Sequence, residues 1–107
     1  MAEVFQRVIQ DTTASYVTAY TTPGSTTAIV IGFQAANVHA TDAKTFAVKT
    51  VTSGGGSEAI IANDISIPVN DTLAPIQGKL VLEAGDYIQI KGADTNIECT
   101  ISILEIS

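Results

Sequence analysis

The amino-acid sequence predicts an all-β fold: a single-domain antiparallel β-sandwich or jelly roll of about seven to nine strands. Ile, Val and Thr account for 37 of the 107 residues, and these β-branched side chains fit a pleated sheet better than a helix. Short runs of alternating apolar and polar residues are separated by clusters of Gly, Pro, Asn and Asp. Because a chain of this length buries a single core, residues 1–107 are expected to form one domain.

The clearest strands lie near the C-terminus, at residues 79–83, 87–91 and 97–106. The first two flank an Ala-Gly-Asp sequence that is typical of a turn. Side chains of a strand alternate between its two faces, so in the last run Cys99, Ile101 and Ile103 share one face and the intervening residues share the other. The first face is expected to join the core, and the second to meet solvent or an interface.

Five further strands are predicted at residues 4–10, 14–21, 26–38, 44–52 and 58–69. The Pro23-Gly24 pair predicts a type II turn, and therefore a hairpin, between the second and third of these. Gly32 inside the third strand predicts a bulge or the close approach of another backbone, and Asn63-Asp64 predicts either a bend in the fifth strand or the meeting of two short strands. Residues 1–10 are expected to be either an N-terminal arm or an edge strand.

Composition limits the class of partner. The formal net charge is −6, from 11 acidic and 5 basic residues, which argues against a nucleic acid or a membrane as partner because phosphate binding needs clustered cations. No apolar run approaches the roughly 20 residues that span a bilayer, and the N-terminus lacks the basic and apolar regions of a secretory signal. Charged residues make up only 15% of the chain and hydrophobic residues 46%, so other copies or a larger assembly are expected to cover part of its apolar surface.

No motif predicts catalysis or a cofactor. His39, the single histidine, stands near no second histidine, nucleophile motif or carboxylate pair, and is expected to be a surface residue. The single cysteine, Cys99, is expected to be a small buried hydrophobe. Residues 54–56 are three glycines without the Lys-Ser/Thr and the helix of a phosphate loop, and they predict a flexible hairpin tip. We therefore expect a protein that is not an enzyme and that has no catalytic residue, cofactor-binding residue or cofactor.

Acidic residues are scattered, with about one in each turn or strand end. Glu83 and Asp86 flank one turn and, together with Asp64 or Asp94, could offer oxygen ligands to Ca²⁺. These residues lack the dense D-x-D-x-D spacing of a calcium loop, and Asp is a common turn-forming residue. The expectation is therefore that the chain has no metal site.

Five segments carry a family resemblance: residues 20–24 (YTTPG), 27–38 (TAIVIGFQAANV), 67–70 (IPVN), 81–86 (VLEAGD) and 102–106 (SILEI). Together they resemble the small virion structural proteins of tailed bacteriophages. They span the chain from Tyr20 almost to the C-terminus and consist of strand and turn residues rather than catalytic ones. The resemblance implies a β-rich protein of the virion, assembled in the host cytoplasm in many copies on a capsid, collar or tail.

The resemblance leaves three functions open. The expected one is a capsid decoration (cement) protein: a homo-oligomer, expected to be a trimer, that binds the major capsid protein and stabilises the shell. Residues 2–10 would then pair with the sheet edge of a neighbouring chain. The first alternative is a neck, tail or baseplate subunit. The second is a carbohydrate-binding adhesin that uses exposed aromatic rings such as Tyr16, Tyr20 or Tyr87.

Overall fold

The computed structural model describes residues 2–76 and 79–107. Within these ranges the chain forms nine β-strands and a short 3₁₀ turn at Ser53–Gly55. The strands are β1 (Glu3–Asp11), β2 (Val17–Thr21), β3 (Thr27–Asn37), β4 (Lys44–Val51), β5 (Glu58–Ile67), β6 (Thr72–Leu73), β7 (Leu80–Leu82), β8 (Tyr87–Gly92) and β9 (Ile97–Ile106). Gln77 and Gly78, just before the strand predicted at residues 79–83, lie outside the described residues.

The strands form two antiparallel sheets with the topology of a jelly roll. One sheet has five strands in the order β1-β9-β3, followed by β6 and β7, which both pair with β3; the other has the order β2-β8-β4-β5. The pairs are nested, because β4 pairs with β5, β3 with β6 and β7, β2 with β8, and β1 with β9. The strands of the second half of the chain thus pair, in reverse order, with those of the first half, and the paired strands fold into two layers. The predicted fold class is confirmed.

The core lies between the two sheets and is built from alternate residues of the central strands. On β9, Ile101 and Ile103 are fully buried, whereas Ser102 between them is only half-buried on the outer face. The rings of Phe33 on β3 and Phe46 on β4 meet across the core with their centroids 6.1 Å apart. Each such side chain contributes about 1.5–3 kcal/mol of burial free energy relative to exposure, so the inward-facing residues hold the layers together.

A bulge in β3 decides which of its residues face the core. The register between β3 and β9 shifts between Val30 and Gly32, as the glycine predicted. Strict alternation would place Phe33 on the face opposite Val30, but the extra residue turns both side chains inward, and both are buried. Ile31, at the bulge itself, is left 42% exposed.

The turn prediction at residues 22–25 is wrong in two respects. Residues 21–27 do not form a hairpin, because β2 pairs with β8 while β3 pairs with β6, β7 and β9; the segment instead crosses from one sheet to the other. The left-handed residue is Ser25, with φ 58°, and not Gly24. Within the described residues, the hydrogen-bonded hairpin is β4–β5, whose tip holds the glycines predicted there.

The turn at residues 83–86 is fixed by one carboxylate and one glycine. Asp86 accepts hydrogen bonds from the backbone N–H of Glu83 (2.9 Å) and of Ser53 (3.1 Å), so it links this turn to the β4–β5 hairpin. Gly85 has φ 86°, and a Cβ atom added to it would lie 2.7 Å from Cβ of Ser53. Only glycine fits this position without strain.

Asn37, at the end of β3, is a buried polar residue that joins three segments of the chain. Its side-chain amide donates to the carbonyl oxygens of Ile67 (2.9 Å) and Asp42 (3.0 Å), and its side-chain oxygen accepts from the N–H of His39 (2.9 Å). These bonds attach the β3–β4 connection to the end of β5.

The bend predicted at Asn63-Asp64 is confirmed by the φ of 50° at Asp64.

Candidate interaction surface

The outer face of the four-stranded sheet carries two ion pairs together with the exposed Ile60. The ammonium groups of Lys49 and Lys91 lie 4.3 Å and 5.1 Å from the centre of the Tyr16 ring, which is cation–π geometry. Lys49 also pairs with Glu58 at 2.9 Å and Lys91 with Asp64 at 3.6 Å. This side of the sandwich therefore presents paired charges to solvent.

The outer face of the five-stranded sheet carries a line of apolar side chains across four strands. Phe5 on β1 lies opposite Leu104 on β9, Leu104 lies opposite Ile29 on β3, and Ile29 lies opposite Val81 on β7. These four residues, the apolar row, point away from the core, because the neighbouring Ile103 points into it and is fully buried. The row spans most of the width of the sheet.

The ends of the apolar row are the most open. Phe5 is 75% exposed and Val81 is 59% exposed, whereas Leu104 and Ile29 between them are half-buried. Ile9, four residues beyond Phe5 on the same face of β1, is 65% exposed. Burial of apolar surface is favourable by about 25 cal/mol per Å², so we take the apolar row as the candidate interaction site.

Among residues 2–76 and 79–107, β1 pairs with β9 on one side and with no strand on the other, so it forms an edge of the five-stranded sheet. Ala2 and Ser107 exchange two backbone hydrogen bonds of 2.9 Å, and Thr12 N–H donates to the carbonyl of Ile97 at 3.0 Å. Because the register between these two strands is unbroken, the even-numbered residues of β1 bond to β9. The backbone groups of its odd-numbered residues 3, 5, 7 and 9 therefore point out of the sheet without a strand partner, whereas the carbonyl of Asp11 accepts the Gln10 side-chain amide at 3.1 Å. We call this the open edge.

The other sheet edges are shorter or irregular. β6 and β7 contain two and three residues. β2 contains five residues and shifts register between Thr18 and Tyr20. β5 shifts register twice against β4, holds Asp64 in a left-handed conformation and is followed by Pro68. Bulges, short strands and Pro protect an edge from pairing with another chain, but β1 has nine residues with no bulge, Pro or Gly.

A groove beside the bulge of β3 adjoins the apolar row. Its lining includes Gly32 and Gln34 of β3, Thr100 and Ser102 of β9, and Ile76, and it encloses about 360 Å³. Of the described residues that line the groove, Thr100 and Ser102 offer hydroxyl groups, Gln34 offers an amide, and none has a titratable side chain. A groove of this size can accept a side chain of a partner.

Two of the three tyrosines weighed for sugar binding share a face. Tyr16 lies beneath Lys49 and Lys91 on the outer face of the four-stranded sheet. The Tyr20 side chain packs against the core, and its hydroxyl donates to Glu105 of the opposite sheet at 2.5 Å. Burial and the Glu105 carboxylate raise the pKa of Tyr20 above its ordinary value. Tyr87 is half-buried on the outer face of β8, the face that also carries Tyr16, so the structure separates Tyr20 from the other two rings.

Three of the four acidic residues considered for calcium are held by other partners, and the fourth, Glu83, is exposed. Asp86 accepts two backbone N–H groups, Asp64 pairs with Lys91, and Asp94 pairs with Lys44 at 2.8 Å. The Lys44 ammonium and the backbone N–H of Asn96 lower the pKa of Asp94 to about 2. Among residues 2–76 and 79–107 no three His, Cys, Asp or Glu side chains come close enough to hold a metal.

The single histidine, His39, is half-buried, and the single cysteine, Cys99, is fully buried. Nδ1 of His39 accepts the backbone N–H groups of Thr41 (3.2 Å) and Asp42 (2.9 Å), so the ring stabilises the β3–β4 connection. Cys99 is fully buried, as predicted, and burial raises the pKa of its thiol to about 12. A thiol in this state is not a nucleophile at neutral pH.

The structure shares its fold with a bacterial surface appendage. A chain of Bacillus endospore appendages, described as a novel family of disulfide-linked pili, matches with a TM-score of 0.55 and 11% sequence identity over 97% of this chain and 84% of that chain. A pentameric capsid protein from metagenomic phage sequences matches with a TM-score of 0.47 and 19% identity over 91% of this chain and 60% of that one. The first likeness shows the fold alone, and the second is too weak to carry an argument.

Other comparisons add no family. No protein-family model matches the chain, and no curated protein matches it significantly. Within the described ranges, no helix has the length and apolar character needed to cross a membrane. The fold, the apolar row and the open edge therefore carry the functional argument.

Proposed function

We propose that this chain is a non-enzymatic structural protein that assembles with other copies of itself. The observation that carries the proposal is the apolar row on the outer face of one sheet, which ends at the exposed Phe5 beside the open edge. The opposite face of the sandwich carries two ion pairs beside the exposed Ile60. A domain with a row of apolar side chains on one outer face is suited to burying that row in an assembly.

The specific assembly that we propose is the shell of a tailed bacteriophage, with this chain as a capsid decoration (cement) protein in the virion. The support is the resemblance of residues 20–106 to small phage virion proteins, together with a jelly-roll domain of 107 residues, which is too short to bury a second core. In this role the chain is a trimer that binds the major capsid protein and stabilises the shell. Its partners are proteins, not nucleic acid or membrane, in keeping with its net charge of −6.

The assembly that we propose is non-covalent. Cys99 is the only cysteine of the chain and lies fully buried in the central strand β9. A disulfide needs the two Cα atoms within about 7 Å of each other, which two copies cannot reach through a buried residue without unfolding. Burial of apolar surface and strand pairing are therefore the contacts available to hold copies together.

A neck, tail or baseplate subunit is the alternative, since the same surfaces would serve a ring as well as a shell. The number of copies in purified particles, measured by quantitative mass spectrometry against the major coat protein, separates the two. Hundreds of copies support the decoration role, a few dozen or fewer support the neck or tail, and absence from the particle contradicts both. The adhesin alternative has less support, because the three tyrosines do not form one aromatic surface.

The role of the apolar row in particle binding can be tested with a matched pair of variants. Val81→Lys places a charge in the row, whereas Ile60→Lys places one on β5, in the other sheet, at a side chain of similar exposure (59% and 54%). We expect Val81→Lys to lose binding to particles that lack the protein, and Ile60→Lys to retain it. Equal binding of the two variants would show that the row is not the docking surface.

A further inference from the structure

We propose that two copies of this chain associate through the open edge of β1, antiparallel and about a two-fold axis that passes beside Phe5. The two five-stranded sheets then become one sheet of ten strands. The inference rests on the proposed self-assembly but not on a place in a phage particle, because its test uses the purified chain alone. In a shell of trimers this contact would join neighbouring trimers.

The geometry of β1 permits this pairing. The odd-numbered residues direct their backbone N–H and C=O groups out of the sheet, and their side chains lie on the outer face. About a two-fold axis perpendicular to the sheet, odd-numbered residues of one copy lie opposite odd-numbered residues of the other. Opposed residues then exchange pairs of backbone hydrogen bonds, and the outer faces of both copies lie on the same side.

The charges on β1 select the register. With full overlap, Arg7 would lie opposite Arg7 of the second copy and Glu3 opposite Asp11, which places like charges together. With Phe5 opposite Phe5, each Glu3 lies opposite an Arg7 instead. Among the described residues, no ion pair within the chain uses these three charged residues, so they are available to a second copy.

A register with Ile9 opposite Ile9 would also join opposite charges, because it pairs Arg7 with Asp11. The apolar row disfavours this register. In that register Phe5 extends beyond the paired segment and stays exposed. With Phe5 on the axis, the rows of the two copies meet end to end, and the eight side chains form one continuous apolar line from Val81 to Val81. The Phe5 register therefore joins opposite charges and buries the most exposed apolar side chain of the row.

A charge-swap series tests the pairing. In Arg7→Glu, the new carboxylate of each copy lies opposite Glu3 of the other copy. In Glu3→Arg, the new guanidinium group of each copy lies opposite Arg7 of the other. We expect each single variant to raise the dimer dissociation constant about tenfold or more, and the Glu3→Arg/Arg7→Glu double variant to restore it. Asp11→Arg is the matched control, because Asp11 lies outside the overlap in this register. Failure of the double variant to recover would overturn the proposed register.

A cysteine scan identifies the register directly, because the natural Cys99 is buried and cannot cross-link to another copy. Phe5→Cys, Arg7→Cys and Ile9→Cys each place a thiol on the two-fold axis of one register, where opposed Cα atoms lie about 5.5 Å apart, close enough for a disulfide. Val81→Cys, exposed on the same face but away from the open edge, is the control. Under mild oxidation we expect Phe5→Cys to form the most covalent dimer on a non-reducing gel. Strongest cross-linking at residue 7 or 9, or none above the control, would overturn the inference.

Discussion

The phenol of Tyr20, on β2, donates a 2.5 Å hydrogen bond to a carboxylate oxygen of Glu105, on β9. The two strands belong to different sheets, so this bond joins the two layers of the jelly roll. It lies near the end of β9 that also carries Leu104 of the apolar row. The bond therefore supports the sheet whose outer face we propose as the interface.

Removal of the Tyr20 hydroxyl is expected to destabilise the domain. Tyr20→Phe keeps the packing of the ring but leaves a half-buried carboxylate without its donor, which costs about 1–2 kcal/mol of unfolding free energy. Tyr16→Phe is the control, because the interaction of that ring with the lysines does not need its hydroxyl. Urea denaturation at pH 7 measures both, and equal stability of the two variants would contradict the role of the bond.

The same variant is expected to change the alkaline limit of stability. Burial and Glu105 raise the pKa of Tyr20 above the ordinary value of 10.0, so the unfolded chain ionises before the folded one. The stability that this shift contributes is complete below pH 10 and is lost as the pH rises towards the folded-state pKa. The stability difference between the natural chain and Tyr20→Phe should therefore shrink above pH 10.

The ion pair of Asp94 is expected to govern part of the acid limit. Its pKa is lowered from 3.8 to about 2, so its contribution to stability is complete above pH 3.8 and is lost as the pH falls towards 2. Asp94→Asn removes the ion pair with Lys44. Urea midpoints of the natural chain and the variant should differ at pH 6 and converge near pH 2. A constant difference over this range would show that the charge of Asp94 is not responsible.

Gly85 is expected to tolerate no side chain. A Cβ atom there meets Ser53, and the φ of 86° is unfavourable for any L-residue, so Gly85→Ala should cost about 2 kcal/mol or more of unfolding free energy. Gly24→Ala is the control, since no atom lies within 4 Å of the added Cβ and φ is not in the left-handed region. Thermal unfolding measures both, and equal effects would mean that the turn geometry is not what constrains residue 85.

Asn37 is expected to be the costliest polar residue to remove. Asn37→Ala leaves the carbonyl oxygen of Ile67 without its donor in a buried site and that of Asp42 without its donor in a partly buried one, which should cost about 2–3 kcal/mol. The exposed Asn63 provides the control, and Asn63→Ala should change the unfolding free energy by less than about 0.5 kcal/mol. A loss below about 1 kcal/mol at Asn37 would indicate that water replaces its bonds.

The sequence predicts most strands of this fold because their apolar residues alternate. Residues 87–91 and 97–106 become β8 and β9 with the expected inward faces. The partners of the strands are not encoded locally, and so residues 22–25 suggested a hairpin that the structure replaces with a crossing between sheets. The bulge was marked by Gly32, but its effect on Phe33 depends on the register with β9.

The sequence predicts the face on which each interface residue lies, but it does not predict that these residues form a row. Alternation places Phe5 and Ile9 on one face of the first strand and Leu104 on the outer face of the last. The row appears only when β1 pairs with β9 and β3 with β7, and these pairs join residues far apart in the chain. Which backbone groups of β1 stay unpaired likewise depends on its partner strand.

The measurement that tests the central claim most directly is the mass of the purified chain by sedimentation equilibrium over a range of micromolar concentrations. If the apolar row and the open edge are covered by other copies, the mass should be a multiple of 11.1 kDa, and Arg7→Glu should lower it. A single species of 11.1 kDa at every concentration, unchanged by that substitution, would contradict the account.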